Sequence, residues 1–209
     1  PFAMRRSAIG LVQLLISKSL RFDVNEALEL AAKGLPLEAS QEHIQACLDF
    51  VIARFQTLLL NDGAAHDAVE AVLAAQGHNP AGAVSAIDDL AEYRSRKDWD
   101  EILQAYARCV RITRTEDTVY SVDAKKLSER AEKTLYKELQ NAEKKSRDPG
   151  SVADFFKTFT PLIPAITTFF DEVLVMAEDE QIRCNRLGLL QRIVALAEGV
   201  LDLSQLEGF

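Results

Sequence analysis

The chain has 209 residues, 48% of them hydrophobic and 27% charged, with 24 Lys or Arg against 32 Asp or Glu and a formal net charge of −8. That much apolar content can bury a core and excludes a disordered chain. The absence of an apolar run of about 18 residues argues against a membrane-spanning helix. With only 9 Gly and 6 Pro, tight turns are few, which favours long helices over many short strands.

In chain order, Ile9, Val12, Ile16 and Leu20 recur at near-turn spacing and predict a helix from Phe2 to Ser19, with Pro1 tolerated at its start. Asp23 and Glu26 read as a capping box opening a short helix that Gly34 and Pro36 close. Ser40 caps the next helix, whose stripe is Ile44, Leu48, Val51, Phe55 and Leu58 or Leu59. Asn61-Asp62-Gly63 stops it. Helices follow over Ala65–Gln76 and from Pro80 to about Tyr93. Asp98 and Glu101 form a second predicted capping box, for a helix reaching about Thr113. Thr113 to Val122 is polar and β-branched and reads as a loop, with Thr118-Val119-Tyr120 able to extend into a minor hairpin. Asp123 is expected to cap a long charged helix running to about Ser146, ended by Asp148-Pro149-Gly150. Ser151 starts a helix carrying Phe155, Phe156 and Phe159. Pro161 and Pro164 bend the chain before the last two predicted helices, Ile166–Met176 and Glu180–Gly199. The expectation is therefore an all-α bundle of about ten helices. Its one candidate boundary lies at Asn61-Asp62-Gly63, dividing 1–62 from 63–209.

No catalytic constellation emerges. GxxxxGK[ST], GxGxxG and GxSxG are absent. His66-Asp67 resembles half of a hydrolase metal doublet, but the further ligands such chemistry needs are missing, so no metal is expected. Cys47, Cys109 and Cys184 have no CxxC or CxxH partner and read as buried small hydrophobes in a reducing compartment. Glu178-Asp179-Glu180 precedes a helix, where carboxylates complement the helix dipole.

Charge is unevenly distributed. Arg94 to Arg147 holds 14 basic against 10 acidic residues, and the first 22 residues hold Arg5, Arg6, Lys18 and Arg21 with no acid. Arg108, Arg111 and Arg114 fall at i, i+3 and i+6. They form a ridge on one flank of their helix that can meet phosphates or unpaired bases, while Ile102, Leu103, Cys109 and Ile112 face the core. Arg94, Arg96 and Lys97 can extend that patch, and Trp99 and Tyr106 are stacking candidates whose alternative is a place, partly buried, in the core. These basic residues are the candidate RNA-binding set. The competing expectation is an ordinary solvated helix face.

The C-terminal stretch Phe169-Phe170-Asp171-Glu172-Val173-Leu174-Val175-Met176, followed by Glu180-Gln181-Ile182-Arg183 and Asn185-Arg186-Leu187, resembles the end of the bacterial glycyl-tRNA synthetase β subunit. That family carries FFD-x-V-x-VM, a DALR-like tetrapeptide and NRL. Here the tetrapeptide keeps the acid, the apolar residue and Arg183. Pro1-Phe2-Ala3-Met4-Arg5-Arg6 resembles the family's DPFALRR stretch, and Asp67-Ala68-Val69-Glu70-Ala71-Val72-Leu73 its D-x-[IV]-x-AVL segment. Tyr106 to Ile112 lies where the family has a KRVxNI-like run, with Ala107 and Arg111 as departures. The resemblance implies that 1–62 continues an upstream HD-like region and that 63–209 is a DALR-type anticodon-binding domain. It further implies tRNA(Gly), the α subunit and a second β subunit as partners in a cytoplasmic α2β2 tetramer. ATP and Mg would act at the α subunit, and this region would carry no cofactor. No DNA or membrane partner is expected. Arg183 is expected to be structural, reaching acids such as Asp171. The alternative function is a helical scaffold that docks a partner subunit; the first residue, not Met, reads as a piece cut from a longer chain.

Overall fold

Ten α-helices and four short 3-10 turns, with no strand among the described residues, account for the computed structural model, which describes residues 2–209. The all-α expectation is borne out, and no hairpin forms near Thr118–Val122. The expected helix start at Pro1 lies outside the described residues. The chain separates into two units, Pro1–Glu92 with Gly199–Glu207, and Tyr93–Glu198 with Gly208–Phe209.

Unit 1 is built on α3 (Gln41–Asn61), against which α1 (Phe2–Ser17), α2 (Val24–Ala32) and α4 (His66–Gln76) pack. The α3 stripe Ile44, Leu48, Val51, Phe55 and Leu59 is buried, as its spacing predicts. Ser40 caps it in a reciprocal box whose other half is His43 rather than an acid: the Ser40 N–H donates to Nδ1 of His43 at 3.2 Å. Asp23 caps α2 by accepting from the Asn25 and Glu26 amides, so its box is one-sided. The turn at Asn61-Asp62-Gly63 joins α3 to α4 inside this unit, and Gly63 takes φ +90°, a left-handed value glycine adopts at little cost. The chain then forms α5 (Pro80–Arg94). Residues 199–207 return to α4: Gln76 donates to the Val200 carbonyl at 2.7 Å and the Asp202 amide to Ala71 at 2.8 Å.

Unit 2 holds α6 (Trp99–Thr113), α7 (Arg130–Glu143), α8 (Val152–Phe159), α9 (Ile163–Glu172) and α10 (Glu180–Val194). Its centre is aromatic. Phe155, Phe156, Phe159 and Phe169 are fully buried. Tyr93 stacks on Phe156 at 4.5 Å between ring centroids, and Trp99 meets the same ring edge-on at 5.7 Å. Each such ring contributes roughly 1.5–3 kcal/mol by leaving water.

The helix expected behind Asp98 starts there but without its side-chain cap, and the start expected at Asp123 moves. Asp98 stands at the N-cap of α6 but caps nothing, because Arg96 takes its carboxylate at 2.6 and 2.8 Å. Asp123 caps only the 3-10 turn Ala124–Lys126; α7 begins at Arg130 behind a box of Glu129 and Glu132. At the far end, α9 stops at Glu172 rather than Met176, and α10 gives way to the 3-10 turn Ala195–Ala197.

Candidate nucleic-acid interface

The candidate surface is the flank of α6, held by α10 on one side and by α9. Trp99, Ile102, Leu103, Tyr106 and Cys109 turn inward and are buried; Ile112 is half-buried. That places Trp99 and Tyr106 in the core, where the Tyr106 hydroxyl donates to the Val194 carbonyl at 2.9 Å, and removes both from any stacking role. Arg108, Arg111 and Arg114 are exposed, and none makes an ion pair among the described residues.

Their surroundings differ. The Arg108 guanidinium lies over the Phe170 ring at 4.4 Å, and that of Arg111 over Phe209 at 5.8 Å. Arg111 also donates to Gln104 at 3.4 Å. Arg114 caps the C-terminal end of α6 with its own amide, and its side chain makes no hydrogen bond, ion pair or ring contact among the described residues. Near the N-terminal end of α6, Arg96 binds Asp98 and lies over Tyr93 at 5.1 Å. It also holds the Asp98 carboxyl below the ordinary carboxylate range. Arg94 is half-buried and engaged, and Lys97 is exposed. Five of the six candidates thus divide into ring-facing, acid-paired and open cations, and Arg94 is engaged.

The tetrapeptide Glu180-Gln181-Ile182-Arg183 opens α10 behind Asp179, whose carboxylate accepts from the Gln181 and Ile182 amides. Arg183 is half-buried and donates to the Ala177 carbonyl at 3.2 Å, so it ties the preceding turn down through a carbonyl rather than through Asp171. The decisive charged residue here is Arg186. Only 7% exposed, it pairs with Glu132 of α7 through Nε and donates from Nη1 to Leu174 at 2.8 Å. Glu132, 1% exposed, also accepts from the Ser128 and Glu129 amides at 2.8 and 2.9 Å. Sequence reasoning missed this pair, although a signal existed. Arg186 falls on the stripe Ile182, Leu189, Ile193, and Glu132 on Leu135, Leu139, Ala142.

A second missed feature lies on another face of α10. Asn185, Gly188 and Gln191, at i, i+3 and i+6, clip the segment Thr118–Asp123 along the helix. Asn185 accepts from the Asp123 amide at 2.7 Å and donates to its carbonyl at 3.2 Å. Gln191 accepts from the Tyr120 amide at 2.9 Å and donates to the Thr118 carbonyl at 2.8 Å. Between them the Tyr120 backbone comes so close to Gly188 that a Cβ would sit 2.6 Å from its carbonyl oxygen. The polar connection is thereby a strap, which presents Val119, 87% exposed, beyond the end of α6.

His66 and Asp67 take separate partners, Glu70 at 3.7 Å and the Ala68 and Glu207 amides. No group of three His, Cys, Asp or Glu able to hold a metal occurs among the described residues. Of the cysteines, Cys109 is buried, Cys184 half-buried and Cys47 exposed, which corrects the expectation that all three are core residues.

Comparison with known proteins bears on this helical unit directly: residues 102–207, from α6 to the end of the returning tail, match the family described as DALR anticodon binding domain. The chain belongs to the DALR anticodon binding domain family. Residues 1–74 match the family described as glycyl-tRNA synthetase beta subunit, so the resemblance read from the C-terminal motifs holds at both ends. Among curated relatives, the chain is 33% identical over 211 residues to "Glycine--tRNA ligase, chloroplastic/mitochondrial 2" of Arabidopsis thaliana, covering 100% of this chain and 20% of that protein. It is 32% identical to "Glycine--tRNA ligase beta subunit" of Geotalea daltonii and 34% to that of a Geobacter species, covering 99% of this chain and 31% of each relative. The chain therefore spans about a third or less of the length of these relatives. In this DALR member no helix of the described residues is long and apolar enough to cross a membrane.

Proposed function

We propose that this chain is the C-terminal tRNA-recognition region of a glycyl-tRNA synthetase β subunit, gripping the anticodon region of tRNA(Gly). Glycine activation with ATP and Mg proceeds at the α subunit of a cytoplasmic α2β2 assembly. The observation that carries this is the α6 flank, where exposed guanidiniums without carboxylate partners project from a domain of the anticodon-binding family. Such groups suit phosphates and splayed bases. The charge division supports it: unit 1 holds 6 basic and 14 acidic residues, unit 2 holds 18 of each, so the net −8 belongs to unit 1. Phosphate attraction falls off within about 10 Å at 0.1 M salt, so a local basic face can act on an acidic protein. Titration of fluorescent tRNA(Gly) into the full-length protein tests the reading. Binding that weakens with salt and is lost on changing the anticodon loop is expected; equal affinity for any RNA of that size would reject it.

A second reading, docking of the α subunit by unit 1, draws on a different observation. Phe2, Met4, Leu11, Leu14, Leu20 and Phe22 all lie exposed in a stretch carrying four cations and no acid before Asp23. An apolar surface with an acidic fringe complements it.

A further inference from the structure

We infer that Arg108 and Arg111 do not serve the RNA as phosphate ligands: with Phe170 and Phe209 they form two stacking shelves for unpaired bases, and the phosphates fall to Lys97 and Arg114. The inference rests on the RNA-binding reading of this face and divides its labour.

The geometry separates the two classes. Arg108 lies 4.4 Å from the centroid of Phe170, and Arg111 lies 5.8 Å from that of Phe209. A guanidinium held over a ring has lost much of its rotamer freedom before any ligand arrives. One side of the guanidinium faces the phenyl group. The exposed residue offers the other to a base, which every nucleobase can meet with its own π face. Gln104 sets the second shelf, accepting from Arg111 at 3.4 Å while donating to the Gly208 carbonyl, one residue from Phe209, at 2.7 Å. Phe169 and Phe170 split their work in the same way. Phe169 is fully buried in the core; Phe170, 5.7 Å away and edge-on to it, is half-buried beneath Arg108.

Asp171 and Glu172 follow Phe170 directly and are exposed at the end of α9, so the element that carries the first shelf adds negative charge, which disfavours a phosphate there more than a neutral base. Arg114 and Lys97 have no ring beneath them and no acid paired to them among the described residues, and the acid nearest Lys97 in sequence, Asp98, is already taken by Arg96. They remain point cations for a phosphate backbone.

The test uses the full-length protein and tRNA(Gly), with salt titrations of each variant and tRNAs carrying abasic residues in the anticodon loop. Replacing both shelf arginines by lysine (Arg108→Lys, Arg111→Lys) keeps the charge and removes the planar group. Affinity is expected to fall roughly 5- to 150-fold for each base that loses its shelf. The slope of log K against log salt should stay unchanged, and abasic substitution should cost this variant nothing further. Phe170→Leu should reproduce the Arg108 half of the effect. Lys97→Gln with Arg114→Gln should lower the slope by about 0.7 per lost contact and keep full sensitivity to abasic sites. Wild-type affinity in the double lysine variant, with a lowered slope in the corresponding double glutamine variant, would overturn the shelves while leaving RNA binding intact. No salt-dependent tRNA binding by the unaltered protein would overturn the RNA reading and the shelves together.

Discussion

Arg186 and Glu132 show how much one residue pair can determine. Both are charged, both occupy positions that the helix period assigns to the core, and each satisfies the other together with backbone groups of two more segments. Removing one partner leaves a buried charge uncompensated, which costs about 3–5 kcal/mol. Arg186→Leu should therefore lower the chemical-denaturation midpoint of unit 2 by a corresponding amount, and the double variant Arg186→Leu with Glu132→Leu should recover much of the loss; additive losses would mean that the two act independently. Cys109 is the second residue of note. Burial pushes its thiol up to about 12 from an ordinary 9.0. The unfolded chain releases that proton first, so stability is full below about pH 9 and declines as pH rises toward 12. Cys109→Ala should flatten that decline in thermal melts between pH 8 and 10. In the native protein a thiol reagent at pH 8 should modify the exposed Cys47 and spare Cys109 until the fold is lost.

At the scale of elements, the strap on α10 is the feature whose disturbance should be most local. Gly188 leaves room for the Tyr120 backbone, and Asn185 and Gln191 hold the strap from either side. Gly188→Ala must displace the strap or bend the helix, at about 1–3 kcal/mol for an overpacked contact. Amide exchange over residues 115–123 should accelerate in that variant, while α3 and α4 of unit 1 keep their rates; unchanged exchange in the strap would show that the clip does not hold it. The strap also explains why Thr118-Val119-Tyr120 forms no hairpin. Its backbone groups bond to side chains of a helix, so no partner strand is required.

For the whole molecule, the two units divide both charge and exposed apolar surface. Unit 1 carries the net −8 and the six exposed apolar side chains of its first 22 residues; unit 2 is neutral and carries the α6 flank. Bound tRNA should therefore slow amide exchange around residues 96–97 and 108–114 and leave residues 23–92 unaffected. Leu11→Gln with Leu14→Gln should weaken assembly with the α subunit without altering tRNA affinity, because both side chains are exposed, 36% and 53%, and support no core of their own. Weakened tRNA affinity with normal assembly would reverse the assignment of the two surfaces.

The sequence by itself determined the helical class, the stripe of α3 and the buried side of α6, because 3.6-residue periodicity and local caps are properties of neighbours in the chain. It also carried the family motifs at both ends of the chain. Where a local rule failed, other groups intervened. Arg96 drew the Asp98 carboxylate from the start of α6. Asp123 does cap, but only the 3-10 turn at Ala124–Lys126, with its backbone held by Asn185 and α7 beginning only at Arg130. Only the tertiary structure could decide that Trp99 and Tyr106 belong to the core, that Phe170 and Phe209 lie beneath the arginines, and that Arg186 finds Glu132 54 residues away. Those outcomes depend on which helices pack together, and side-chain spacing along one helix carries no record of its neighbour.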